Sequence, residues 1–183
     1  YKPDGGRFSG FKLLGAVMAF RGLLKKILGK EEQNVGFMLP PSPAGVIVNL
    51  ALWVLGKTNV NLNYTSSVDN VKFCCEKADV KTVITSHLFL QKLKGRGNDY
   101  SLLEEGGKVR LLYAEDFMKI IPKAKIASLI ALCDVIPSWL IRFIFCKHRS
   151  MDDIAVIVFS SGSEGTPKGI ELTQRNLMGN IQQ

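Results

Sequence analysis

The chain has 183 residues, 46% apolar and 22% charged, a composition that excludes a disordered, collagen-like or disulfide-scaffold protein and predicts one domain or part of a larger one. Its 24 Lys and Arg outnumber 16 Asp and Glu for a net charge of +8, which favours anionic partners such as phosphates, anionic lipids or an acidic carrier protein. The basic residues are interleaved with aliphatic ones and no nucleic-acid recognition motif accompanies them, so nucleic acid is not an expected partner.

Ser9 is placed to cap a helix over Gly10 to Leu28, where Phe11, Leu14, Val17, Met18, Leu24 and Leu28 recur at helical spacing before Gly29. The apolar run Val35 to Leu39, stopped by Pro40 and Pro41, reads as a buried strand and turn. A helix over Pro43 to Leu55 ends at Gly56. The pattern then repeats: strand at Asn59 to Leu62, helix at Val68 to Ala78, strand at Val80 to Thr85, helix at His87 to Lys94. A loop from Gly95 to Gly107 leads to a strand at Val109 to Tyr113. The segment Met118 to Arg149 is helical and apolar, Ile154 to Phe159 is a strand, and Thr173 begins a last helix. Short apolar strands separated by helices predict a layered α/β fold with a mostly parallel sheet and crossover helices, because parallel strands need covered connections. Ligands in such folds collect beyond the carboxyl ends of the strands. The chain opens at Tyr1 and closes at Gln183 inside a predicted helix, and it is expected to be part of a longer protein.

Cys74, Cys75, Cys133 and Cys146 contain no C-x-x-C pair and are expected to be reduced core-filling thiols of a cytoplasmic protein. Cys146 and His148 lie two apart, but zinc needs three or four ligands and His87 is the one other imidazole. No metal site is expected from these residues.

Between 117 and 149 two apolar helical pieces, Ile126 to Ile136 and Trp139 to Cys146, are split by Pro137 and flanked by Lys119, Lys123, Lys125, Arg142, Lys147 and Arg149. A spanning helix needs about 20 apolar residues, and Asp134, Pro137 and Arg142 interrupt this run. Two readings stay open: an insertion lying peripherally at the inner face of the cell membrane, where Trp139, Phe143 and Phe145 would sit at headgroup level, or a helical pair buried on the sheet of the complete protein.

The most informative segment is Ser160-Ser161-Gly162-Ser163-Glu164-Gly165-Thr166-Pro167-Lys168-Gly169, directly after an apolar strand. The glycines remove Cβ atoms so that backbone N–H groups can approach an anion, Ser160, Ser161, Ser163 and Thr166 offer hydroxyl donors, and Lys168 supplies a point charge. At about 4 Å and an effective dielectric of ~20, such a cation attracts a phosphate charge by roughly 4 kcal/mol before desolvation. A bare Gly/Ser turn between two strands is the plain alternative. A P-loop, G-x-x-x-x-G-K-[ST] opening into a helix, does not fit: Lys168 lies between Pro167 and Gly169, and Ile170 to Leu172 reads as a strand.

Ser160 to Gly169, continued by Ile170-Glu171-Leu172-Thr173 and Asn176, resembles the AMP-binding signature of the adenylate-forming superfamily, which includes acyl-CoA synthetases, luciferases and peptide-synthetase adenylation domains. Within it, Gly162-Ser163-Glu164-Gly165 resembles the acyl-[acyl-carrier-protein] synthetase half of bifunctional acyltransferase/synthetase enzymes of bacterial phospholipid recycling. The likeness extends upstream through Val35 to Pro40, Leu55-Gly56-Lys57, Leu62 to Thr65, Thr85-Ser86 before Phe89-Leu90, and Val109-Arg110 before Tyr113 to Asp116. Residues 1 to 183 would then form the amino-terminal part of an AMP-binding (adenylation) domain. The resemblance implies that a fatty-acid carboxylate attacks the α-phosphorus of ATP, pyrophosphate leaves, and a thiol of acyl carrier protein, or of coenzyme A, captures the acyl-adenylate. It implies phosphate contacts from residues 160 to 169, with Lys168 the catalytic cation, and Mg2+ held by residues beyond Gln183. A non-catalytic nucleotide- or membrane-binding derivative of the fold is the further alternative. Two positions depart from the family pattern: Gln174, where His usually follows the Thr, which bears on placement of the nucleotide, and Pro41, where Asn is frequent.

Overall fold

Four helices begin where a serine side chain accepts the free backbone N–H three residues on: Ser9 from Lys12, Ser42 from Gly45, Ser67 from Asn70 and Ser86 from Phe89. Each such bond satisfies a donor that the helix itself leaves open. The structure, a computed structural model, describes residues 9–160 and 166–182. These caps open α1 (Gly10–Ile27), α2 (Pro43–Leu55), α3 (Val68–Lys77) and α4 (His87–Lys94). Helix α2 stops at Gly56, whose φ of 78° lies in the left-handed region where a side chain would be strained.

Between them run the strands β1 (Asn34–Phe37), β2 (Thr58–Asn61), β3 (Thr82–Thr85) and β4 (Arg110–Tyr113). Helices α5 (Ala114–Ile120), α6 (Lys123–Val135) and α7 (Ser138–Phe145) follow. Strands β5 (Ile154–Ser160) and β6 (Lys168–Thr173) and helix α8 (Gln174–Gln182) complete the described residues. The sheet order is β4-β3-β1-β2-β5-β6. Every neighbouring pair is parallel except β5 with β6. This is the expected layered α/β architecture with a mostly parallel sheet.

Strands β1 to β3 are largely buried on both faces, whereas β6 is largely exposed, and the strand period of two divides the core. Ile84 and Val35 face α1, α2, α5, α6 and α7 in one cluster, whereas Val83, Val60 and Leu111 face α3, α4 and Tyr100 in the other. Gly36 lies between Val83, Leu62 and Val80, where an added Cβ would come within 2.7 Å of the Val83 side chain.

The structure corrects several boundaries. The expected loop 95–107 contains a turn of 3-10 helix, Tyr100–Glu104. Its anchors are Tyr100 and Leu103, both buried, and the Tyr100 hydroxyl donates to the carbonyl oxygens of Tyr64 at 3.0 Å and Ser66 at 2.5 Å. The helical segment expected from Met118 starts at Ala114, directly off β4. The strands expected at 35–39, 59–62 and 80–85 are each four residues long and shifted or trimmed. Loop residues such as Met38, Leu62 and Val80 are buried as deeply as strand residues, so burial outlasts pairing at the ends of these strands. Cys74, Cys75 and Cys133 are buried free thiols and Cys146 is half-buried. Burial pushes the Cys75 thiol up to about 12, which keeps it unreactive at neutral pH.

Candidate phosphate-binding hairpin

Strand β5 lies inside the sheet, paired with β2 on one side and with the antiparallel β6 on the other. Because β1 to β5 are mutually parallel, their carboxyl ends share one edge, and the segment after β5 leaves from that edge. The register sets Ser160 opposite Lys168 and Phe159 opposite Gly169. The mouth of the hairpin is thus formed by Ser160 and Lys168, with the Ser160 hydroxyl 3.4 Å from the Lys168 carbonyl oxygen. Of the predicted loop residues, Ser160, Thr166, Pro167, Lys168 and Gly169 are placed here, whereas Ser161, Gly162, Ser163, Glu164 and Gly165 lie outside the described residues. Thr166 and Lys168 are exposed, and no carboxylate among the described residues pairs with Lys168. A Cβ on Gly169 would lie 3.3 Å from the Phe159 ring, so the glycine lets β6 pass close over that ring.

The same edge holds groups that the sequence quotes only as scattered dipeptides. Asn63 closes a turn in which its side-chain oxygen accepts from the Thr65 N–H at 3.0 Å and the Thr65 hydroxyl at 2.8 Å. Pairing of Thr85 with Tyr113 brings the start of α4 against the start of α5. The Glu115 carboxylate accepts from the Ser86 hydroxyl at 2.5 Å and from the His87 and Leu88 N–H groups at 3.2 and 3.4 Å. Burial pushes the Glu115 carboxyl up, but these hydrogen bonds outweigh it and hold the group below the ordinary carboxylate range. The His87 ring stacks on Tyr113 at 3.6 Å between centroids, and its Nε2 lies 3.0 Å from Asp116 Oδ2. That contact, with the Lys119 ammonium beside it, keeps Asp116 below the ordinary range. Ser86 is legible in sequence as a cap before an apolar helix. Glu115 is not, since its partner lies 29 residues away at the cap of another helix.

Gln174, where the sequence departs from the family pattern, lies at the end of the sheet opposite the hairpin mouth. Strand β6 runs back from the mouth, so its last residue, Thr173, pairs with Ile154 at the opposite edge of the sheet. At ~3.3 Å per residue Gln174 is about 20 Å along the strand from Lys168. Its side chain is buried and accepts a hydrogen bond from Trp53.

The residues at the mouth fit a polyphosphate: an exposed cation, hydroxyl donors from Ser160 and Thr166, and a glycine that clears the backbone. They do not by themselves fit a magnesium ion, since no group of three or more His, Cys, Asp or Glu that could hold a metal occurs among the described residues. A shallow groove of about 380 Å³ between α1 and α6, lined in part by Phe11, Lys12, Ile130 and Asp134, shares no residue with the hairpin.

Residues 5–183 match the profile of the AMP-binding enzyme family. Among curated proteins, 4-coumarate–CoA ligase-like protein 6 of Arabidopsis thaliana is 27% identical over 157 residues, covering 85% of this chain and 25% of that protein. The peroxisomal long chain acyl-CoA synthetase 7 of the same plant is 25% identical over 172 residues, 92% of this chain and 23% of its own length. Long-chain-fatty-acid–CoA ligase 5 of Rattus norvegicus is 27% identical over 82% of this chain and 22% of its own. The chain therefore spans about a quarter of the length of the curated relatives it matches. Among solved structures, the o-succinylbenzoate CoA synthetase MenE of Bacillus subtilis with its acyl-adenylate intermediate superposes with a TM-score of 0.62 at 19% identity, over 93% of this chain and 37% of that one. An ATP-bound RpMatB-BxBclM chimera gives 0.65 at 19% identity, over 98% of this chain and 32% of that one. At these identities the structures establish the fold.

Proposed function

The chain belongs to the AMP-binding enzyme family, and from that membership we propose that it is the amino-terminal portion of a ligase that activates a long-chain fatty acid with ATP and passes the acyl group to a thiol. The observation that carries the reading is Lys168, exposed and free of carboxylate partners among the described residues, facing Ser160 across a hairpin mouth at the carboxyl edge of a parallel sheet. That is where an α/β fold binds nucleotides.

In the proposed reaction a carboxylate oxygen of the fatty acid bonds to the α-phosphorus of ATP while the bond to the bridging oxygen breaks and pyrophosphate leaves. A thiol then takes the acyl group and AMP departs. No covalent enzyme nucleophile is needed. The residues of this chain bind and orient the β- and γ-phosphates: Lys168 by charge, Ser160 and Thr166 by hydroxyl donors, with residues 161–165 expected to add backbone N–H groups. Positioned donors of this kind contribute typically 10²- to 10³-fold each in rate. Magnesium would be supplied with ATP and held by residues outside this chain.

The names of the relatives favour a fatty acid as substrate and coenzyme A as acceptor. The Gly162-Ser163-Glu164-Gly165 resemblance and the net charge of +8 favour acyl carrier protein, an acidic partner, as the second reading. Fatty-acid-dependent pyrophosphate exchange by the full-length protein tests the activation step. Absence of exchange with every chain length, in folded protein, overturns it, and comparing the two acceptors in the complete reaction decides between them.

A further inference from the structure

We infer that α6 and α7 form a membrane-docking face that rests on a bilayer surface carrying anionic headgroups. The inference is independent of the reaction assigned above. Helix α7 has two apolar sides. Ile141 is buried and Phe145 packs inward under the Arg21 guanidinium, 5.8 Å from the ring centroid. On the other side Trp139 and Phe143, four residues apart and so on one face, are 68% and 83% exposed. Val135, the last residue of α6, is 82% exposed immediately before the Pro137 elbow. A large aromatic pair turned outward beside an exposed aliphatic residue is a patch that a soluble surface seldom leaves bare.

The charge identifies the occupant. Residues 117–149 carry six Lys and Arg against one acid, Asp134; of these, Lys119 pairs with Asp116 and Arg149 with Asp153, just outside the segment. Lys123, Lys125 and Arg142 are exposed and form no ion pair among the described residues. Asp134 lines the groove between α1 and α6, as does Lys12. Unpaired cations on the two helices that carry the exposed Trp and Phe, Arg142 on α7 itself and Lys123 and Lys125 at the start of α6, match an interface that offers anionic headgroups above and acyl chains below. The helices lie on the surface and do not cross: α6 has 13 residues, α7 has 8, and no helix among the described residues is long and apolar enough to span. The face is held firmly, because α6 packs so closely on α1 that a Cβ on Gly15 would meet Ile130 at 2.5 Å.

The test is sedimentation of the full-length protein with vesicles of phosphatidylcholine alone or mixed with phosphatidylglycerol, alongside thermal unfolding and oligomeric state. Binding is expected to the mixed vesicles and to weaken with salt. The double substitution Trp139→Ala with Phe143→Ala should lower vesicle affinity about tenfold or more at an unchanged unfolding temperature. Lys123→Gln and Lys125→Gln should each lower it about fivefold. The inference is overturned by folded protein that ignores anionic vesicles or by a double variant that binds as tightly as wild type. A double variant that unfolds several degrees lower also overturns it, since the face is then internal to the complete protein. So does one that changes oligomeric state, since the face then meets a second copy.

Discussion

Trp53 on α2 donates its indole N–H to the Gln174 side-chain oxygen at the head of α8, 2.6 Å away in space and 121 residues along the chain. The bond closes the far side of the sheet: it ties the helix after β1 to the helix after β6, at the edge opposite the hairpin mouth. Gln174 is 6% exposed, and its Nε2 is buried with no partner among the described residues. Gln174→Ala is expected to destabilise the fold by about 1–2 kcal/mol through the lost bond. Pyrophosphate exchange per folded molecule should hold. Thermal unfolding and exchange on one preparation of the full-length protein check this, and a loss of exchange at unchanged stability would place Gln174 at the nucleotide.

Lys168→Ala should show the converse pattern. A lost charge-assisted hydrogen bond amounts to about 1.5–3 kcal/mol, or roughly ten- to a hundredfold and somewhat more in exchange rate or ATP affinity. Stability without ligand should move by no more than about 0.5 kcal/mol, because the side chain is exposed. Strong destabilisation with normal exchange per folded molecule would make Lys168 a structural residue.

Glu115 predicts an acid-sensitive contact between α4 and α5. Its folded-state affinity for a proton is depressed despite burial, by the hydrogen bonds it accepts from Ser86 and from the backbone of His87 and Leu88. A depressed carboxyl contributes stability that is present above the ordinary glutamate value of about 4.3 and is lost as pH falls through the folded value. Glu115→Gln should lower the unfolding temperature at pH 7 and flatten its decline below about pH 4.3. Parallel unfolding curves for mutant and wild type across that range would refute the assignment.

Gly15→Ala should destabilise. In an exposed helix the change gains up to about 1 kcal/mol, but here the new methyl group would lie 2.5 Å from Ile130 Cγ1 and 3.0 Å from the Ile130 backbone nitrogen. Overpacking of that kind typically costs 1–3 kcal/mol. A rise in unfolding temperature would show that α6 can move off α1 freely.

Helix positions were legible from the sequence because the signals are local. Ser9, Pro43 and Gly56 act on backbone groups within one turn of themselves, and the predicted helices at 43–55 and 87–94 match the observed ones residue for residue. The same locality made the family readable, since the Ser160 to Gly169 signature that carries the resemblance is a run of ten consecutive residues. What the residues could not say alone was where each element lies. The strand order, the antiparallel return of β6, the meeting of Ser86 with Glu115 and of Trp53 with Gln174, and the small 3-10 turn pinned by Tyr100 all depend on pairs distant in the chain. Such pairs form only when the sheet has assembled, because burial drives the layers together without regard to sequence separation. For that reason the chemistry of the hairpin belonged to the sequence, while the side of the sheet it faces, and the removal of Gln174 to the opposite edge, were decided by the tertiary structure.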